Sequence, residues 1–117
     1  LKYFAQVLLS MVENKEIPIF YLNSFIFGKS AMIASLPCEP FVEIGLILRK
    51  EIFANYTCLV TEHGNGTGFA GCAGGYIPNA WNYNRGGYET TPRSNPFSKD
   101  TAQRLLAAYR KMANQLN

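Results

Sequence analysis

The sequence predicts an α/β fold, a mixed sheet flanked by helices, and three observations carry that prediction. Two neighbouring runs rich in aromatic and β-branched residues, 17–27 and 31–36, are separated by the turn residues Gly28-Lys29-Ser30, the pattern of a β-hairpin. An apolar segment at helical spacing over 40–53 is followed by a strand-like run at 56–61, so strand, helix and strand alternate. The chain closes on an amphipathic stripe of Ala102, Leu105, Leu106, Tyr109, Met112, Ala113 and Leu116.

The elements follow in order. Residues 1–13 place Phe4, Val7, Leu8, Met11 and Val12 at helical spacing, with Asn14-Lys15 as a stop, and predict a helix with one buried face. After the hairpin, Pro37 and Pro40 bracket Cys38-Glu39. Pro37 cannot donate to a ladder and Pro40 suits a first helical turn, so a strand ends and a helix begins here. In the 40–53 helix, Phe41, Ile44, Leu48 and Ile52 share one side, and Val42, Leu46 and Ile47 widen the apolar surface. Residues 62–76 are mostly Gly, Ala, Asn and Thr, too small to build a core, and read as a long loop. Pro78 opens a short helix over 77–84, Gly86-Gly87 turns the chain, 91–97 is a Pro-containing connection, and Ser98 or Asp100 caps the last helix. There is no repeat and no second domain, so 1–117 is expected to form a single unit.

Composition bounds the partners. With 48% hydrophobic and 16% charged residues the chain has the make-up of one globular unit with a core. Its net charge is +3, its pI is near 8.8, and its Lys and Arg are scattered apart from Arg49-Lys50 and Arg110-Lys111, so no nucleic-acid partner is expected. Charged and turn residues interrupt every apolar run, and no transmembrane segment is expected. Cys38, Cys58 and Cys72 lack zinc-ribbon spacing and read as buried thiols, and the sequons at Asn55 and Asn65 say little about compartment. The sequence opens at Leu1 inside a helical pattern and reads as a cut.

Two clusters carry chemistry. Glu39 sits in the strand-to-helix turn, near free backbone N–H groups that favour negative charge; alone it reads as a capping acid, and at the ligand-binding edge of an α/β layer as a functional one. Tyr76 follows Gly74-Gly75, an opening that lets a ligand or metal approach closely. Trp81, Tyr83 and Tyr88 extend this aromatic group, and in isolation each reads as a core or interface residue. Gly66-Thr67-Gly68-Phe69-Ala70-Gly71 spells a dinucleotide fingerprint, but the next residues cannot open the helix that motif needs. His63 reads as a solvated loop histidine.

Pro37-Cys38-Glu39, Tyr76-Ile77 and Tyr88 together resemble the neutral ceramidase family, whose catalytic domain carries a Pro-Gly-Glu turn, a Tyr-Ile pair and another Tyr twelve residues on. The intervals here are 37 residues (76 − 39) and 12 residues (88 − 76), and Glu39-Pro40-Phe41-Val42-Glu43-Ile44-Gly45 is similar to the family's bacterial branch. The resemblance implies that the chain is the C-terminal part of a larger catalytic domain. It also implies zinc, with Glu39 and Tyr76 as metal ligands and Tyr88 as the residue that stabilises the oxyanion, in an amidohydrolase acting on the N-acyl bond of ceramide or a related lipid amide. The family's two His ligands lie earlier in its domain, so the remainder of that domain is an implied partner, as is a lipid amide substrate. Zinc would lower the pKa of bound water to about 7 and yield a hydroxide able to attack an amide. A secreted, periplasmic or cell-surface setting is implied on the same basis. Cys38 stands where the family has Gly, and a non-catalytic relative that keeps the fold as a binding module is the alternative reading.

Overall fold

The structure, a computed structural model, describes residues 2–13, 19–63 and 75–116. Helix α1 (Lys2–Glu13) exposes Tyr3, Leu9 and Val12. Val12 was expected on the buried face but is 80% exposed. At about 100° per residue it lies about 80° round from Phe4, at the margin of the stripe. The side chains of Phe4, Val7, Leu8 and Met11, and the expected stop at Asn14-Lys15, lie outside the described residues.

The hairpin forms as expected, with β1 (Asn23–Phe27) antiparallel to β2 (Ala31–Pro37) and Phe25 opposite Ile33. Gly28 takes the positive φ of 62° that the tight turn requires. The first strand is shorter than the aromatic run before it. Phe20 and Leu22 pack against the core, and Phe20 lies edge-on to Phe97 with ring centroids 5.2 Å apart, so these residues serve packing and not the ladder.

From β2 the chain passes through β3 (Glu39–Pro40) into helix α2 (Val42–Ile47), which widens into a π-helical turn over Leu48–Ile52. Phe53 N–H donates to the Leu48 carbonyl at 2.8 Å and closes that turn. The chain then returns as β4 (Thr57–His63), parallel to β2, giving a three-stranded mixed sheet in the order β1-β2-β4. β4 runs beyond the expected 56–61, because β2 offers pairing as far as Pro37, which lies opposite His63. The rest of the chain forms β5 (Tyr76–Ile77), the short α3 (Asn82–Arg85), a 3₁₀ turn at Tyr88–Thr90 and α4 (Thr101–Leu116). The expected 77–84 helix is thus confined to its second half, since Ile77 pairs with Pro40 in a strand instead.

The core lies between the sheet and the helices. Met32, Ala34 and Leu36 of β2 and Cys58 of β4 form one cluster with Ile44, Leu48 and Phe53 and with Ala102, Leu105, Leu106 and Tyr109 of α4. The near-continuous burial of β2 is that of a strand paired on both sides. Tyr109 is fully buried, sits edge-on to Phe53 with centroids 6.1 Å apart, and donates its hydroxyl to the Ser35 carbonyl. Ser24 Oγ reaches Met112 Sδ at 3.2 Å, tying the hairpin to the same helix. The opposite sheet face is open, and Phe25, Phe27 and Leu59 are 59%, 56% and 61% exposed. At the start of α4, the Asp100 carbonyl accepts from Arg104 N–H, and the Ser98 hydroxyl bonds the Asp100 carboxylate and lowers its pKa.

Burial first, and then the neighbouring Cys58, push the Tyr109 hydroxyl's pKa well above its ordinary value of 10. The folded state holds that proton more tightly than the unfolded state, so the contribution is intact below pH 10 and is lost as pH rises beyond it. Tyr109→Phe should cost about 1 kcal/mol at neutral pH through the lost hydrogen bond. Above pH 10 its stability should fall less steeply than the parent's, as read from urea melts at both pH values.

Candidate functional site

The site is built at the end of β2. Pro37 ends that strand, and Cys38 takes φ 61°, the one positive φ at a non-glycine among the described residues. The left-handed residue swings the chain out of one sheet and into another within two positions. Glu39 then lies directly opposite Tyr76 in the parallel β3–β5 pair. Three backbone hydrogen bonds hold the junction: Glu39 N–H to the Gly75 carbonyl at 3.1 Å, Phe41 N–H to Ile77 at 3.1 Å, and Tyr76 N–H to Ser94 at 3.1 Å.

Opposite residues of a pair project to the same face, so the Glu39 carboxylate and the Tyr76 phenol are neighbours. Tyr88 joins them, its ring edge-on to Tyr76 with centroids 5.5 Å apart. Its approach depends on Gly86 and Gly87, whose φ values of 75° and 115° carry the chain from α3 into the 3₁₀ turn. Tyr88 beside it, and then the Glu39 carboxylate, push the Tyr76 hydroxyl's pKa above its ordinary value of 10. Tyr76 is therefore a neutral phenol at pH 7, donating toward an acid that is itself exposed. The structure thus brings together the three residues singled out in the sequence, although 37 and 12 positions separate them.

The reason for Gly75 differs from the one expected. A Cβ there would meet Pro96 Cδ at 3.0 Å, the Ser94 carbonyl at 3.2 Å and Phe97 Cε2 at 3.4 Å. The protein's own 94–97 segment fills the space reserved in the sequence reading for a ligand. Tyr83 accepts a hydrogen bond from the Asn95 amide, and Trp81 and Tyr88 are half exposed. His63, expected in the loop, is the last residue of β4, so its backbone stands at the same strand-end edge as Glu39. Gly74, Cys72 and the 66–71 glycine motif lie outside the described residues.

Two oxygen donors side by side, a carboxylate and a phenol, supply half of a four-coordinate metal set and fit zinc to that extent. Among the described residues, no group of three or more His, Cys, Asp and Glu side chains converges. A cleft of about 600 Å³ opens between α2 and the ends of β2 and β4, lined by apolar Leu36, Phe41, Val42, Leu46 and Val60, with Arg49 and Glu62 at its polar part. Sequence periodicity had marked these apolar positions only as helix and strand faces.

Cys38 is 4% exposed as well as left-handed, so its replacement separates two effects. Cys38→Gly and Cys38→Ala lose similar burial, but only glycine removes the backbone strain, which costs an L-residue about 1 kcal/mol. Cys38→Gly should therefore be more stable than Cys38→Ala by about 1 kcal/mol in chemical denaturation, the reverse of the usual order.

Comparisons of the chain with protein-family models, curated proteins and solved structures found no match.

Proposed function

We propose that the chain supplies Glu39, Tyr76 and Tyr88 to a zinc-dependent amidohydrolase that cleaves the N-acyl bond of ceramide or a related lipid amide. The observation that carries this reading is the convergence of the acid and two phenols at one strand-end edge, through the β3–β5 pair and the Tyr76–Tyr88 contact. Zinc, when bound, supplies Lewis acidity and lowers the pKa of water. Glu39 and Tyr76 are the residues that would hold it. Tyr88, half exposed beside Tyr76, would aim its O–H at the carbonyl oxygen of the amide and stabilise the charge that develops there. The apolar lining of the cleft, which includes Pro40 next to Glu39, offers a seat for an alkyl chain.

Two ligands leave zinc two short of a closed set. The remaining ligands are assigned to the remainder of the same catalytic domain, and the uncovered sheet face carrying Phe25, Phe27 and Leu59 offers a surface on which a further layer of protein would pack against the sheet. The outward setting implied by the family resemblance belongs to this same reading.

Glu39→Ala in the whole protein should abolish both zinc content, by metal analysis, and amide hydrolysis. Tyr88→Phe should keep the metal and lose roughly 10²–10³ in kcat, the usual effect of removing one oxyanion donor. Zinc affinity should rise with pH, because the metal must displace a proton that Tyr88 and Glu39 hold on Tyr76. A Glu39→Ala protein with unchanged zinc and turnover would defeat the assignment, and metal-free protein without turnover would leave the non-catalytic binding module.

A further inference from the structure

The segment from Trp81 to Lys99 forms an aromatic and cationic surface that shares only Tyr88 with the zinc reading. Trp81 is 49% exposed and Tyr88 52% exposed, large apolar rings left in water. Each of three rings carries a cation: Arg85 lies 5.3 Å from the Trp81 centroid, Arg93 5.8 Å from Tyr88, and Lys99 5.6 Å from Tyr83. Glu89 is the only acid among these residues. The pattern joins two requirements that rarely coincide. Tyr and Trp rings settle where one end is apolar and the other wet, which is the headgroup region of a bilayer. Guanidinium and ammonium groups held over such rings would lie at the depth of lipid phosphates and carboxylates.

We propose that this surface docks on a membrane containing anionic phospholipids, with Trp81 seated among the headgroups and Arg85, Arg93 and Lys99 facing their charges. A nucleic acid fits less well. A protein on duplex DNA makes roughly six to ten phosphate contacts, and three cations interleaved with exposed rings are too few. The Tyr88 ring touches Tyr76, so docking would bring the Glu39–Tyr76–Tyr88 edge to the lipid surface. Membrane docking does not depend on zinc or turnover, and it stands or falls separately from the amidohydrolase reading.

Trp81 is the only tryptophan of the chain, so its emission reports directly on this surface. The full chain, without metal or substrate, would be mixed with vesicles of phosphatidylcholine alone or with about 30% phosphatidylserine, a strongly anionic composition. The expected result is co-sedimentation and a blue-shifted emission with the anionic vesicles only, both reversed by high salt. Arg85→Gln and Lys99→Gln should each weaken binding roughly fivefold with melting temperature unchanged, while Arg110→Gln, on the exposed side of α4, should bind as the parent does. No binding, equal binding to neutral vesicles, an equal loss in Arg110→Gln, or tighter binding to a single-stranded oligonucleotide than to the vesicles would each overturn the proposal.

Discussion

Where β2 ends, the chain must leave one sheet and pair with a strand of another within two residues, and the left-handed turn at Cys38 is what allows it. An extended residue at this position would carry the chain on along β2, and the following carboxylate would project from that strand. With φ at 61°, Glu39 instead enters the pair with Tyr76, and the arrangement of the site follows from that register. The constraint is costly for an L-residue and is offset by the burial of the Cys38 side chain and by the prolines on either side of the turn. Pro37 and Pro40 narrow the conformations open to the unfolded turn, which lowers the entropy lost on fixing it.

The turn is held still from beneath. Leu36 precedes it in the most buried strand, and α4 grips the same strand through the Tyr109 hydroxyl on Ser35. A non-local hydrogen bond inside a packed core orders a backbone more firmly than a surface contact, because neither partner can fall back on water. The Arg110–Glu51 pair, at 3.7 Å between two exposed side chains, adds little by comparison. Positioning at the site thus rests on core packing and not on surface charge.

The fold class was legible because its signals are local. Gly28 announced the hairpin turn, Pro37 announced the end of β2, and the stripe through Leu105 and Tyr109 announced the last helix, whereas Pro40, expected in a first helical turn, lies in β3 and the helix begins only at Val42. Pairing was harder to read. The β3–β5 contact is only two residues long, far too short for a periodic pattern, so its partners followed from a resemblance in residue order and not from propensity. Gly75 was read as room for a ligand because a glycine codes for close approach without saying what approaches; here it is the 94–97 segment. The π-helical turn before Phe53 has no residue code at all, since an i→i+5 bond is imposed by packing that brings Phe53 back to Tyr109. The length of β4 was likewise decided by what β2 offered as a partner, against the polar character of Glu62 and His63.

Exposure governs how strongly the clustered groups act on one another. Glu39 is exposed and Tyr88 is half exposed, so water screens the attraction and repulsion that raise the Tyr76 pKa. Covering that edge, whether by another protein layer or by lipid, would remove the screen and strengthen every interaction among the three side chains several-fold. It would also raise the cost of leaving the Glu39 charge without a cation, since a buried carboxylate must be paired or protonated. The same covering therefore strengthens the case for a metal beside Glu39 and for a proton on Tyr76 in the metal's absence. In this arrangement the chemistry of the edge is set less by the three residues than by what lies against them.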